Sequence, residues 1–305
     1  MFFILLLKVM PLYITVLLGF IAGKFLKIDN PSIARLLFYI MGPIVIFFGI
    51  SQTKINSEVL SLPFLTWFVC CIMSAVVYYT SALMFRDNTR NILAFSSGSS
   101  SMGFFGLPVA LAMFDDNTVS IYLFCYVGML MFENSFGFYI ATQGIYTPKK
   151  CIIKLITLPA AHAAIIALIF NCLQIPIPTF LSDIAINIRG TYVTLGMMLL
   201  GIAVANIKIF NIDWKFISLT LIIKYVLWPV LIIGFIVLDK LTIQLYNNDI
   251  YRALILLAII PMSGTGIILA TILNNNPDKT AIMLLVNTII GLFYVPMMIS
   301  ILLYE

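Results

Sequence analysis

Two of this chain's apolar stretches break midway in a run of small and polar residues, and those breaks constrain the fold more than any other feature. The first reads Ser99-Ser100-Ser101-Met102-Gly103-Phe104-Phe105-Gly106-Leu107-Pro108 and the second Pro261-Met262-Ser263-Gly264-Thr265-Gly266. A helix in lipid must make its backbone hydrogen bonds internally, so N–H and C=O groups freed at mid-depth survive only beside protein or a wet cavity. Two interruptions at matching places in two halves of a chain point to a substrate site near the bilayer centre. The pattern is that of a transporter.

Composition supports this reading. Hydrophobic residues make up 62% of the 305 and charged residues 10%, with a mean hydropathy of +1.12. An ordinary soluble domain carries about 25% charged residues, so the chain reads as an all-α polytopic membrane protein with the lipid bilayer as its surroundings. The net charge is +5, but the basic residues stand singly among the connectors, where they set orientation. Nucleic acid is excluded as a partner. Cys70, Cys71, Cys125, Cys151 and Cys172 lie in or beside apolar stretches without metal-ligand spacing, and they read as small buried hydrophobes. The first stretch has no preceding basic region and no small-residue cleavage site, so it is expected to be a retained helix rather than a signal peptide.

Ten transmembrane spans are expected, at 2–23, 34–52, 61–85, 91–114, 118–144, 151–172, 182–206, 214–238, 251–273 and 280–303. Each holds the roughly 17–25 apolar residues that a tilted helix needs. Connectors such as Asp29-Asn30-Pro31 and Asn274-Asn275-Asn276-Pro277 carry turn chemistry and are too short for a soluble domain. The chain has no G-x-x-x-x-G-K-[ST] loop, so the driving force would be a membrane gradient or the substrate's own. Odd-numbered connectors hold Lys24, Lys27, Arg35, Arg86, Arg90, Lys149, Lys150, Lys154, Lys208, Lys215 and Lys279, against Lys54, Arg189, Lys240 and Arg252 in the even-numbered ones. The positive-inside rule then makes the odd connectors cytoplasmic and puts both termini outside.

Five spans per half would make the second half enter from the opposite side. Leu26-Lys27-Ile28-Asp29-Asn30-Pro31 echoes Leu173-Gln174-Ile175-Pro176-Ile177-Pro178, and Gly49 with Lys54-Ile55 echoes Gly201 with Lys208-Ile209. Arg90 and Arg252 each open a broken span. Their common order predicts an inverted 5+5 repeat, residues 1–145 and 146–305, in one integral membrane unit.

Several runs are similar to those of a known family. The first span opens Pro11-Leu12-Tyr13-Ile14-Thr15-Val16-Leu17-Leu18-Gly19-Phe20, and the second carries Leu37-Phe38-Tyr39-Ile40-Met41-Gly42-Pro43-Ile44-Val45-Ile46-Phe47. The fourth contains Gly103-Phe104-Phe105-Gly106-Leu107-Pro108, Lys224 stands five residues before Pro229, and Pro261, Ala270, Thr288 and Pro296 follow. In these runs the chain resembles the auxin efflux carrier family of membrane transporters, in its compact, malate/malonate permease-like bacterial form. The resemblance covers nearly the full length, and the glycine–proline run of the fourth span is its most specific part. Ser101 replaces a common Asn, Thr194 a common Pro, and Leu158-Pro159 a common Asn-Pro. The long central loop of the plant exporters is reduced to a turn around Tyr146-Thr147-Pro148. The resemblance implies a scaffold domain and a transport domain, with helices 4 and 9 crossing at their prolines and substrate bound beside the crossing. It also implies a small organic anion such as malate, malonate or an indole carboxylate, in a bacterial inner membrane.

The candidate site follows from the breaks. Half-helix N-termini present unpaired N–H groups and partial positive charge to a carboxylate. Gly103, Gly106, Gly264 and Gly266 allow close approach, Ser99, Ser100, Ser101, Ser263 and Thr265 add hydroxyls, and Pro108 and Pro261 mark the crossing. The competing reading of the small residues is helix packing. Glu133 lies mid-span, where an ionised carboxylate costs about 2.5–3.5 kcal/mol. It could carry a proton, help bind a cation, pair with a lysine, or make a structural hydrogen bond. Neighbouring Asn134 is the stronger candidate for substrate contact. Lys224, about 15 Å into its span, either snorkels to the cytoplasmic interface or supplies a counter-charge. His162 is either a proton relay or a structural hydrogen-bonding group. Met197-Met198 and the Phe/Tyr-rich faces of the fourth and fifth spans read as core.

These features define a secondary carrier of an organic anion, working by alternating access without a cofactor, with H⁺ or Na⁺ as candidate coupling ions and a homodimer as the prior for assembly. Alternatives are a ligand sensor, against which the lack of an output domain counts, and an intramembrane hydrolase. The chain has a single histidine, no G-x-S-x-G and no H-E-x-x-H, so an enzyme is not expected.

Overall fold

The computed structural model describes residues 2–26, 28, 30–51, 53, 55–85, 87–142, 157–205, 212–273 and 275–302. Among these there is no strand, and helices occupy all or part of every predicted stretch. Lys27, Lys54, Arg86, Lys149, Lys150, Lys154, Lys208, Cys151, the Tyr146–Pro148 turn and the 145/146 boundary lie outside the described residues.

Helix α1 (Phe2–Ile21) continues into a π-helical turn, Ala22–Leu26. A single rod is formed by α2 (Asn30–Leu36), the π turn Leu37–Met41 and α3 (Gly42–Ser51), and α4 spans Ser57–Ser81. The fourth stretch is α5 (Thr89–Gly98), three residues outside any helix, the π turn Met102–Gly106 and α6 (Leu107–Met113). Next come α7 (Asp116–Asn134), α8 (Phe136–Ala141), α9 (Pro159–Cys172) and α10 (Thr179–Ala205). The eighth stretch is α11 (Trp214–Ile222), the π turn Ile223–Leu227 and α12 (Trp228–Leu241). The ninth breaks into α13 (Asn248–Ile259) and α14 (Thr265–Ile272), and α15 is Pro277–Leu302. Among the described residues seven helical stretches are long and apolar enough to cross a membrane, and shorter apolar helices run over Met10–Leu26 and Pro159–Cys172.

Two points differ from the sequence reading. Arg189, counted with a connector although the expected span 182–206 contains it, lies ten residues inside α10. The fifth stretch does not run straight through: Ser135 (φ −121°, ψ −101°) separates α7 from α8.

Prolines explain three of the four π turns. Proline has no N–H, and its ring clashes with the carbonyl four residues back; widening the turn to i→i+5 relieves both. The turns at Leu37–Met41, Met102–Gly106 and Ile223–Leu227 each end two residues before a proline, namely Pro43, Pro108 and Pro229. In each, an i→i+5 bond follows: Gly42 N–H to Leu37 O, Leu107 N–H to Met102 O, and Trp228 N–H to Ile223 O. The freed carbonyls then serve as joints between helices. Tyr225 O, four before Pro229, accepts the Tyr294 hydroxyl at 2.8 Å, and Leu292 O, four before Pro296, accepts the Tyr13 hydroxyl.

The helices pack in two sets. One contains α1 against α10 and α9 against α3; the other has α4 against both α5 and α7, with α7 also against α13. Thr89–Met113 and Asp116–Ala141 are the most enclosed of the seven long stretches and the least hydropathic. Protein, rather than lipid, surrounds their polar residues. Large apolar side chains such as Phe64, Phe68, Val230 and Phe293 face outward, as a lipid-facing surface requires.

Small residues bring α1 onto α10. A Cβ on Gly201 would stand 1.9 Å from the Val16 carbonyl oxygen, and one on Gly19 2.1 Å from that of Met198. Close backbone approach is how membrane helices gain packing without a hydrophobic driving force. Gly201→Leu should therefore destabilise the protein by about 3 kcal/mol or more through overpacking, whereas Gly190→Leu, with nothing within 4 Å of its Cβ, should be near neutral. Thermal unfolding of both variants in detergent checks this.

Candidate functional site

The two breaks cross. Ser101 N–H donates to Pro261 O at 2.9 Å, joining the fourth and ninth stretches through their backbones. Proline restricts the residue before it to extended conformations, and Ile260 (φ −71°, ψ 152°) accordingly ends α13. At the first break, serines offer the backbone local alternatives to helix. Ser97 Oγ donates to Leu93 O at 2.7 Å, and Ser101 O accepts from both Phe105 N–H and Gly106 N–H, at 3.2 and 2.9 Å.

Each helix that stops here leaves carbonyls without intrahelical partners. Trp228 Nε1–H donates to Ser97 O at 2.7 Å, covering the end of α5. Lys224 is 0% exposed. Its ammonium donates to Ser100 Oγ at 2.5 Å and to Leu257 O at 3.4 Å, and lies 4.6 Å from the centre of the Trp228 ring. Lys224 thus places a cation at the C-terminal ends of α5 and α13, where the helix dipoles concentrate negative charge. The snorkelling expectation is overturned: the side chain turns inward from the π turn Ile223–Leu227 and meets the crossing rather than the interface.

Glu133 approaches the crossing from α7 and is 7% exposed. Oε1 accepts the Ser99 hydroxyl and Oε2 the Thr265 hydroxyl at 3.1 Å. Thr265 Oγ1 lies 3.0 Å from Ser263 Oγ, which also accepts Thr265 N–H at 3.3 Å. One carboxylate therefore ties the fourth stretch to the ninth at the N-terminal end of α14, where negative charge is favoured.

Close packing accounts for three of the four candidate glycines. A Cβ on Gly103 would lie 2.6 Å from Tyr126 Oη, one on Gly106 1.9 Å from Tyr122 Oη, and one on Gly266 2.7 Å from Ser96 Oγ. Gly264 is exposed, and its Cβ would meet only Leu284, at 3.7 Å. With half-buried Ser263 and Thr265 it forms the open rim of the crossing. Asn134 is half-buried near the end of α7 and donates to Leu130 O, in its own helix, at 2.9 Å. Pro108 is buried in the first turn of α6 and Pro261 at the crossing. The structure does not bring His162 there: it is exposed on α9, which packs along α3. Ser99, one of the expected hydroxyls, is brought to Glu133, and Trp228 joins the site although the sequence pattern alone does not select it. Trp228 follows Lys224 by one helical turn, and that spacing is the signal that could have found it.

Broken, crossing helices with buried ionic groups define a polytopic membrane transporter. Over residues 4–147 the chain matches the family model described as membrane transport protein, which bears out the resemblance to the auxin efflux carrier family. It is also 26% identical over 223 residues to an uncharacterized transporter, MJ1031, of Methanocaldococcus jannaschii, covering 69% of this chain and 72% of that protein.

Replacing Lys224 by Met keeps the apolar stem but removes the cation shared by two helix ends. A charge-assisted hydrogen bond contributes about 1.5–3 kcal/mol, so Lys224→Met should lower stability by about 2 kcal/mol. The check is the unfolding midpoint in detergent, followed by tryptophan fluorescence.

Proposed function

We propose that the crossing binds a small organic anion, a carboxylate, and that the protein carries it across the membrane as a secondary transporter by alternating access. The observation that carries this reading is the Ser101–Pro261 bond with Lys224 on one side and Glu133 on the other. The backbone leaves the helical conformation at the crossing, and the second half-helices begin there at Met102 and Thr265. Their N-terminal ends favour a carboxylate, and buried Lys224 adds positive potential. Ser263 and Thr265 supply hydroxyls at the rim, and buried Ser100 and Ser101 supply them behind it. Asn134, one residue beyond Glu133, adds an amide for substrate contact.

Glu133 is the group through which H⁺ or Na⁺ would couple to transport, because the same carboxylate holds both broken stretches. Neutralising it would change the crossing at the step where substrate enters. The two helix sets would act as scaffold and moving part, built on an inverted repeat of residues 1–145 and 146–305. A homodimer through the scaffold, both termini outside, and a bacterial inner membrane complete the proposal.

Liposome uptake of malate, malonate, succinate and indole-3-acetate, each under an imposed potential, pH gradient or Na⁺ gradient, tests it. Saturable flux of at least one acid is expected. Gly264→Trp should abolish flux while the protein remains folded, because its side chain enters open space at the rim. Absence of flux for every acid in correctly oriented wild-type protein would overturn the carboxylate reading, and binding without flux would favour a sensor.

A further inference from the structure

A cavity of about 510 Å³ lies away from the crossing, between α3, the end of α6, the start of α7 and α10. Its charged lining groups are Asp116 and Arg189. Thr53, Asp116 and Asn117, which belong to or flank even-numbered connectors, line it, so it lies toward the expected outer face. Arg189 enters ten residues after the start of α10, or roughly 15 Å along the helix. Its guanidinium nonetheless faces the cavity and reaches Asp116 at the start of α7.

Its present partner holds it weakly. Arg189 Nη1 donates to Asp116 Oδ1 at 2.9 Å, with the two side chains 40% and 86% exposed. An exposed pair of this kind contributes little to stability. A single bond also engages only one of the five N–H donors of the guanidinium. Asp116 starts α7, whereas Arg189 belongs to α10, so the pair joins the two helix sets. The nearby Asn117 donates to Asp249, which pairs with Arg252 at 3.4 Å, and these groups are engaged with one another at the mouth.

The cavity also stands over the crossing. Leu111 of α6 and Leu123 of α7 line it. The residue next to Leu123, Tyr122, donates its hydroxyl to Met102 O at 3.1 Å, in the first turn beyond the break. The volume falls within the range of small-molecule sites, about 300–1,000 Å³.

We infer that this cavity is a vestibule in which Arg189 captures a small carboxylate, the ligand displacing Asp116 into solvent. A guanidinium binds a carboxylate through two parallel N–H···O bonds, which a free anion can orient to accept and the tethered Asp116 does not. With Asp116 in place the pair is formally neutral, and the arriving anion exchanges one carboxylate for another. The inference rests on the carboxylate reading of the crossing.

The experiment compares wild type, Arg189→Gln and Asp116→Asn in two measurements with malonate: calorimetric titration of the purified full chain, and initial uptake rates in liposomes. Arg189→Gln should weaken binding at least tenfold and raise KM with little change in kcat. Asp116→Asn, which frees the guanidinium, should tighten binding and lower KM by about threefold. A pair with only a structural role would respond in the same direction to loss of either partner. Changes of the same sign, or no change in either variant, would therefore overturn the vestibule. If wild type shows no flux but malonate binding responds oppositely to the two substitutions, the vestibule stands and the transport reading falls. Saturable flux with unchanged KM in both variants upholds transport and overturns the vestibule. Neither binding nor flux in any of the three overturns both.

Discussion

A helix that stops inside a membrane must find partners for the backbone groups it abandons, and this requirement organises the molecule. Two helices stop together here, each meeting part of the other's need. Ser101 N–H takes Pro261 O across the crossing, Trp228 and Lys224 of the eighth stretch donate to the Ser97 and Leu257 carbonyls, and Glu133 of the fifth accepts the Ser99 and Thr265 hydroxyls. Unpaired, each group would carry the full penalty of burial, which exceeds the net value of an ordinary hydrogen bond. The enclosure of the fourth and fifth stretches follows from that asymmetry.

The same logic runs through the prolines. Pro229 and Pro296 each release a carbonyl that serves as a docking point for a tyrosine hydroxyl from another helix, Tyr294 in one case and Tyr13 in the other. Tyr225 adds a bond to Asn287 O, so α15 is tied to the π turn beside Lys224 in both directions. A defect within one helix thus becomes a contact between two. The π turn also sets the direction in which Lys224 points, linking Pro229 to the electrostatics of the crossing.

The breaks are legible in the sequence because proline, glycine and clustered serine act locally. Pro261 forces Ile260 out of helix whatever surrounds it, and the boundary follows from one residue. Glu133 stands out because a carboxylate in an apolar span needs a partner, although nothing in its neighbourhood names Ser99 and Thr265. Lys224 is ambiguous because its distance along the helix fits two destinations. Its long stem reaches the interface or the core, and only the π turn decides. Arg189 lies inside the span expected at 182–206 yet reads as one of the scattered cations that set orientation, because nothing in its neighbourhood names Asp116 of another helix as its partner. The glycines are recognisable as sites of close approach, but the sequence does not say that tyrosine hydroxyls and Ser96 fill the space beside three of them, leaving Gly264 open.

The positions of the two buried ionic groups have a consequence for energetics. Lys224 lies at two helix C-termini and Glu133 at a helix N-terminus, so each sits where the backbone field favours its charge. With Lys224 protonated and Glu133 ionised, their formal charges cancel and the crossing is neutral despite being highly polar. A monovalent anion entering it would therefore carry one net charge with it, and moving that charge through ~100 mV is worth roughly 2.3 kcal/mol. In an inside-negative cell this favours exit of the anion and opposes its entry. A cation or proton taken up at Glu133 would cancel the added charge and remove that bias. The same scaffold would then serve export or import according to the occupancy of a single carboxylate, with no change in the residues that form the crossing.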